Sequence, residues 1–568
     1  MKAQANKLPE ETDLIVIGSG AGGLTAALFA RLYDLRVIVL EHTNYIGGTS
    51  ARSSGTVWVP NNHLMRAKGF ADDRLEAEAY LEALVGNRGD AQMWRAFLDK
   101  APKMLVELEE RIGVAFRPFM KAPDYRQELP GAAEGGRPLE PLLFDGRLLG
   151  EDFQRLASPL RELMLLGGMM ITRVEAAELL RADRSPHAAW LGLKLVGRYL
   201  HDRMRNDRGT RLVLGNALIA RLFFALKQHG VPVFTGTKVR SLLKNGCTIA
   251  GVECELGGDT LKIAALRGVV LAGGGFPASP ELRAAYLPQP VAQYTPASEG
   301  CDGSSIRLGL KAGAELGPDT LDNGLWFPSS VCVRDDGTTA VYPHIVLDRA
   351  KPGALAVNAA GERFVNEAVS YHEFVRGMYR AQSAIPAWMI CTRGFISRYG
   401  LGLIRPRTPS LRKFERSGYL KTGRTIEELA ERIGVPSTAL QNTIARFNAF
   451  ALSGVDEDFH RGENVYERSN GDAGHGPNPC LGALDNGPFH AVALHPTPLG
   501  TSRGIAINVD AQALDANREP VPGLYACGND AQSAFGGEYP GAGAQLGQAM
   551  TFGWLAARHA AATQIGKE

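Results

Sequence analysis

One stretch near the C-terminal end gathers groups able to stabilise negative charge: Gly536-Gly-Glu-Tyr-Pro-Gly-Ala-Gly-Ala-Gln-Leu-Gly-Gln-Ala-Met550. A glycine-rich turn that enters a helix leaves backbone N–H groups unpaired and sets the positive end of the helix dipole at its start. An anionic ligand, or a carbonyl oxygen that gains charge during a reaction, is stabilised there. Tyr539 puts one phenol inside the turn, and the apolar segment 549–562 reads as the helix behind it. Such a turn alone is equally a packing device around a buried tyrosine, so its meaning depends on what converges on it.

A second group of residues binds rather than reacts. The apolar run Asp13-Leu-Ile-Val-Ile17 reads as a buried strand and passes into Gly18-Ser-Gly-Ala-Gly-Gly23, a helical stretch to Leu32, a strand at Val37–Leu40 and Glu41. Strand, G-x-G-x-x-G, helix, strand and an acid about 20 residues on form the dinucleotide fingerprint in its required context. Gly18 makes the turn, Gly20 lets backbone meet a pyrophosphate with Ala21 and Gly22 beside it, Gly23 permits close helix–strand packing, and Glu41 can accept ribose hydroxyls. The loop Gly47-Gly48-Thr49-Ser50 to Ser54-Gly55 is glycine- and hydroxyl-rich and suits an isoalloxazine and pyrophosphate better than an NAD domain would require. Gly528 and Asn529 end a strand and can hold a ribityl chain. Ala272 and Gly273 end another, and Ala544, Gln545 and Leu546 open the C-terminal helix. These segments resemble the FAD-dependent flavoproteins with a glutathione-reductase-type Rossmann domain. Some members of that group tether the flavin through a histidine near the second loop; residues 47–55 hold none, which implies non-covalent FAD.

These positions need a large scaffold. The 568 residues exceed one compact core, and 66 glycines match a chain that approaches a ligand with its backbone. A net charge of +2 argues against nucleic acid. Seven cysteines without C-x-x-C spacing read as reduced thiols of a cytoplasmic protein, and no metal is implied. The expected fold class is α/β: a Rossmann FAD-binding domain (residues 1–325 and 490–568) with an inserted α+β catalytic or cap domain (326–489). Residues 456–488, rich in Gly, Pro, Asn and Asp, read as an irregular surface loop. Residues 148–214 form a helical insertion, with helical patterns at 173–182 and 188–204. Its apolar run 163–171 and eight Lys/Arg against three Asp between Arg181 and Arg211 fit either a solvated cap or a peripheral membrane contact.

Gly361-Glu-Arg-Phe-Val-Asn-Glu-Ala-Val-Ser-Tyr371 resembles a stretch of the fumarate-reductase-like flavoproteins. In the dicarboxylate reductases an arginine delivers the proton where this chain has Tyr371. A second arginine grips a carboxylate where it has Gln545, and a histidine stands where it has Leu499-Gly500. With those charged groups missing together, a dicarboxylate finds no clamp. Phenols stand instead, which suits a neutral ketone. More narrowly, Tyr539-Pro-Gly-Ala-Gly543, Asn366–Tyr371, Asp124–Gly131 and Trp58-Val-Pro-Asn-Asn62 resemble the 3-ketosteroid Δ1-dehydrogenases. That resemblance implies a lipophilic 3-ketosteroid substrate and an external acceptor such as a quinone. It also implies that Tyr539 and the Gly543 N–H donate to the ketone, and that Tyr371 takes the proton from carbon 2. Ionising a phenol at neutral pH costs roughly 4 kcal/mol, and a hydrogen bond from Tyr125 is expected to offset part of it. Gln548 and Arg503 depart from the family pattern and are expected near the flavin or the pocket. Other regiochemistry (4,5-desaturation), a non-steroid cyclic ketone, and a non-catalytic flavin electron carrier are the competing readings.

Overall fold

The computed structural model describes residues 8–563 apart from 180, 181, 183 and 184. From Leu14 onward β1 (Glu11–Ile17), and all of β2 (Val37–Leu40), is apolar without alternation, a pattern that needs cover on both faces. Between them α1 (Ala21–Leu32) packs back on the sheet, and the short α2 (Gly48–Arg52) follows. The insertion carries α3 (Pro186–Arg203), whose start is capped by Ser185. The helix anticipated at 173–182 is observed over Arg173–Leu179; residues 180 and 181 lie outside the described residues. β3 (Val233–Phe234) then adds to β2 in parallel. β4 (Lys238–Asn245), β5 (Thr248–Leu256) and β6 (Asp259–Leu271) form an antiparallel meander, and the far half of β6 runs parallel to β1.

The second domain comprises β7 (Gly324–Val333), β8 (Thr339–Pro343), β9 (Ala354–Val357), α4 (Tyr371–Arg380), β10 (Ala387–Thr392), β11 (Lys421–Gly423) and β12 (Phe489–Thr501). Its sheet is ordered β8-β7-β12-β10-β9, with β11 on β12. The chain returns through β13 (Gln512–Leu514), β14 (Pro520–Ala526) and α5 (Ala544–Ala562), giving the first sheet the path β13-β14-β6-β1-β2-β3.

Three boundaries move. β12 belongs to the second sheet, so that sheet opens at Gly324 and runs past 489 to Thr501. Pro496 and Pro498 obscure this strand in the sequence. They fall in the half of β12 that pairs with β7 alone, where a missing N–H leaves no ladder bond broken. α5 begins at Ala544, five residues early: Gly543 (φ +93) caps it, and Gly547 lies inside because a Cβ there would meet Trp58 O at 2.3 Å. Residues 456–488 are only partly a surface loop: Asp456, Arg461 and Glu467 are buried, and Arg461 donates to Glu367.

The insertion also differs from expectation. The run 163–171 folds inward through a tight Leu165–Met169 pairing, and Met169 packs on Leu195 and Tyr199; only Leu166 and Gly167 of the run are exposed. Arg208 is buried and Arg211 bonds Glu175, so the basic excess is not one outward face.

Candidate active site

The C-terminal ends of the adjacent parallel strands β1, β6 and β14 lie side by side, the place where open α/β sheets take ligands. Gly18 leaves β1 so close to β6 that a Cβ would sit 2.3 Å from Ala272 O. Gly20 is the N-cap of α1 and offers no side-chain cap; apart from Ala21 N, the first-turn N–H groups face the strand ends where an anion is stabilised. A Cβ on Gly22 would meet Ala549 O of α5 at 2.9 Å, so its lack of a side chain lets the two helices approach, and Gly23 lies against Gly18 O. Ser50 Oγ accepts from Ala21 N at 3.2 Å, and Gly47 N donates to Ser19 Oγ at 3.0 Å, tying the second loop to the first. Thr49 accepts from Ser298 N (2.9 Å); Gly48 and Ser54 line the loop, and Gly55 turns it with φ +68. The Asp530 carboxylate accepts from Gly273 N and Gly275 N, locking the ends of β6 and β14 together beside Gly528 and Asn529. Glu41 ends β2 with its oxygens on Ser19 and Thr43 donors, so a ribose would replace rotatable hydroxyls there.

At the edge of this cradle three phenols meet. Tyr125 Oη donates to Tyr371 Oη at 2.8 Å, and the Tyr539 ring lies 5.5 Å from both of theirs. Each comes from a different place. Tyr371 opens α4, which Ser370 caps through Glu373 N. Tyr125 is docked by its own N–H on Pro540 O at 3.0 Å, so its loop is fastened to the turn carrying Tyr539. That loop is anchored from behind: Asp124 accepts from Trp58 Nε1 (2.8 Å) and from the fully buried Arg137 (2.6 Å), whose other nitrogens hold Asp72. Gly543 follows on α5, and among the described residues no acceptor takes its N–H.

The sequence matches the FAD-binding domain family over residues 13–546. It is 36% identical to the 3-oxosteroid 1-dehydrogenase of Mycolicibacterium smegmatis, over 98% of each chain. The crystal structure of the 3-ketosteroid Δ1-dehydrogenase of Sterolibacterium denitrificans in complex with 1,4-androstadiene-3,17-dione superposes with a TM-score of 0.91 at 36% identity, covering 98% of this chain and 100% of that one. The chain belongs to the FAD-dependent 3-ketosteroid Δ1-dehydrogenase family. A 4-oxocyclohex-2-ene-1-carboxylate 5-dehydrogenase of Sinomonas cyclohexanicum is also 36% identical, over 98% of this chain and 95% of its own. FAD is the cofactor of the family, and the cradle fits it: glycines where backbone must approach, bare helix N-termini for phosphate, and an acid at the ribose end.

The Δ1-dehydrogenase site is electrically quiet. Burial, reinforced by the Tyr125 and Tyr539 phenols, pushes the Tyr371 phenol well above its ordinary range. Tyr539 is raised by burial too, with bonds to Tyr371 and Gln545 pulling the other way. Burial, with Arg376 nearby, keeps His372 neutral beside Tyr539.

Several participants escaped the sequence reading. Tyr466 lies 5.1 Å from the Tyr125 ring and Phe327 4.7 Å from that of Tyr371; one came from the supposed surface loop, the other from a stretch read only as part of the α+β domain. Gln545 donates to Tyr539 Oη (3.0 Å) and accepts from Asn529 Nδ2 (3.3 Å). Gly500 leaves room for this relay, since a Cβ would stand 2.3 Å from Asn529 Nδ2 and 2.7 Å from Gln545 Oε1. Arg503 and Gln548 do not reach the phenols: Arg503 pairs with Asp319, and Gln548 accepts from Ala534 N.

The second domain also holds a nucleophile–base–acid spacing, with Ser330 Oγ 2.7 Å from His344 Nε2 and His344 Nδ1 2.6 Å from Asp348. It is closed. Gly402 sits so tightly over it that a Cβ would be 2.1 Å from Tyr419 Oη and 2.9 Å from Ser330 Oγ, and Tyr419 completes the chain of bonds. Its work is to tie loops together.

Proposed function

We propose that this protein removes two hydrogens from ring A of a 3-ketosteroid, placing a double bond between carbons 1 and 2. Tyr539 Oη and the Gly543 N–H donate to the ketone oxygen, which acidifies carbon 2. Tyr371 takes the proton from carbon 2, and Tyr125 then donates to the phenolate oxygen so formed. FAD, held non-covalently, supplies the hydride acceptor for carbon 1, and an external acceptor such as a quinone restores it. The observation that carries this reading is the phenol cluster: Tyr125 and Tyr371 are 2.8 Å apart with Tyr539 against both, beside the unpaired N–H of Gly543. An electron carrier has no use for it. The activities of the Mycolicibacterium and Sterolibacterium relatives agree.

The Sinomonas relative makes a carboxylated cyclohexanone the second reading. Charge argues against it. Arg126, Arg376 and Arg461, packed around the phenols' own segments, are each engaged by a carboxylate. A substrate carboxylate buried among phenols would lack a charged partner. The test is anaerobic mixing of holoenzyme with a 3-ketosteroid or with 4-oxocyclohexanecarboxylate. The steroid should bleach the flavin and yield product two mass units lighter, and bleaching by the carboxylate alone would overturn the assignment.

The insertion fits peripheral contact with an anionic lipid surface, through a different face from the one the sequence pointed to. Trp190, Leu193, Leu200 and Met204 form one outward stripe on α3 and just past it, each more than half exposed, with Lys194, Arg203 and Arg205 exposed alongside. No helix among the described residues is long and apolar enough to cross a membrane.

A further inference from the structure

We propose that Arg376 and Glu538 form a clamp that sets the separation of Tyr371 and Tyr539, making both of them positioning residues for proton abstraction. The inference rests on the roles given above to the two tyrosines. Tyr371 stands on the first turn of α4, whereas Tyr539 stands on a turn outside regular structure, and no strand or helix pairing joins the two segments. Side chains make the join. Arg376 is on α4 and almost fully buried; it donates through Nη2 to Gly537 O (3.0 Å) and through Nη1 to Glu538 Oε2 (2.8 Å), the two residues before Tyr539. The same guanidinium is held in orientation by Asp322 on Nε (2.8 Å) and by Glu373 on Nη1 (3.0 Å).

A planar fork bonded at four points translates and rotates as one body with its helix, which a lone ammonium does not. Glu538 is 4% exposed, so its carboxylate has little water to fall back on. A buried ionic group of this size is seldom the most stabilising filler for its volume, and apolar packing alone could have closed this gap. What the fork adds is a fixed register between α4 and the turn. Both consequences matter chemically: the base must meet carbon 2 while the donor holds the ketone oxygen, so an error in separation harms the two together. Arg88 also reaches Glu538, at 3.0 Å on the other oxygen, but it is 41% exposed, and among the described residues its hydrogen bonds go to Glu538 and Leu84 O rather than to α4. It is the internal control.

The experiment compares Arg376→Lys, Glu538→Gln and Arg88→Gln holoenzymes, with Tyr371→Phe as reference. Three quantities are read: FAD content, exchange of the carbon 2 proton of a bound 3-ketosteroid with deuterated water, and steroid affinity. Arg376→Lys and Glu538→Gln should retain FAD, lose at least tenfold in exchange and bind steroid more weakly, while Arg88→Gln stays within twofold of the parent. If Arg376→Lys does not fold, the isosteric Glu538→Gln carries the test. Placing Arg376→Lys or Glu538→Gln in the Tyr539→Phe background should cost much less than in the parent, because the clamp acts through that tyrosine. A purely structural pair would lower FAD content and melting temperature by the same amount in either background. Parental exchange in Arg376→Lys and Glu538→Gln, or an equal loss in Arg88→Gln, overturns the clamp. If Tyr371→Phe itself exchanges at the parental rate, the tyrosine assignment fails instead.

Discussion

Replacing Tyr125 by phenylalanine removes one hydroxyl that bonds Tyr371 and leaves the Tyr539 contact in place. The ring and its packing on Tyr466 survive; the hydroxyl 2.8 Å from Tyr371 Oη does not. A hydrogen bond to a charged oxygen contributes about 1.5–3 kcal/mol, so proton abstraction should slow by roughly 10- to 150-fold. The pH dependence carries the sign. Burial raises the Tyr371 phenol well above its usual range, so throughout pH 7–9 the group is protonated and kcat/KM should climb with pH, approaching tenfold per unit. Without the Tyr125 donor the phenolate is less stable still, and the rising limb should move to higher pH. The assay is anaerobic stopped-flow bleaching of the flavin by a 3-ketosteroid in a single turnover, at matched FAD content. The opposite result would be a Tyr125→Phe enzyme as fast as the parent or faster. Such an outcome would refute Tyr125 as donor to the base.

Gly500→Ala should disturb function rather than fold, because the atoms its Cβ meets are the ends of the Asn529 and Gln545 side chains. Displacing Gln545 from Tyr539 Oη should weaken steroid binding about 2- to 12-fold, read by titration, with FAD content unchanged. Alkali should destabilise the protein: Tyr80 and Tyr371 are pushed well above 10 by burial, so unfolded chains lose those protons first. Stability should then fall by about 1.4 kcal/mol per unit and per phenol above pH ~10, visible as a drop in urea midpoint between pH 9 and 11. At the acid end, Arg363 and Arg461 outweigh burial and hold the Glu367 carboxyl at about 2. Its contribution should be intact above the ordinary range near 4.5 and vanish as pH falls through 2, and an acid limb shallower in Glu367→Gln than in the parent would agree. Trp190→Ser with Leu193→Ser should release the protein from anionic vesicles in co-sedimentation, since each apolar side chain inserted is worth about 1.5–3 kcal/mol. Unchanged sedimentation would leave α3 a solvated cap.

What the sequence makes legible here is local chemistry, and what it hides is distance. The G-x-G-x-x-G turn, Glu41 and the loop 47–55 could be read because strand, turn and helix follow one another within a few dozen residues, each fixing the next. Tyr371 and Tyr539 were reached by a likeness between short motifs, not by any property that brings them together, and composition gave no measure of their separation. Tyr466 shows the limit most clearly. It sits among Gly, Pro, Asn and Asp, a composition that signals exposed irregular chain, yet Asp456 and Arg461 are buried in an ion-paired knot with Arg363 and Glu367, and Glu467 is buried on amide and backbone donors. Charged residues read as solvent-facing one at a time, and only their partners, roughly a hundred residues away, turn them inward. The same reasoning explains the insertion: its apolar run 163–171 was the conspicuous feature, but a continuous apolar run is what a core segment looks like, whereas the exposed stripe of α3 is spread over four turns and visible only once the helix has a known inner face. Long-range pairing decides which side of each element is free, and a single chain of letters does not contain that decision in any one stretch.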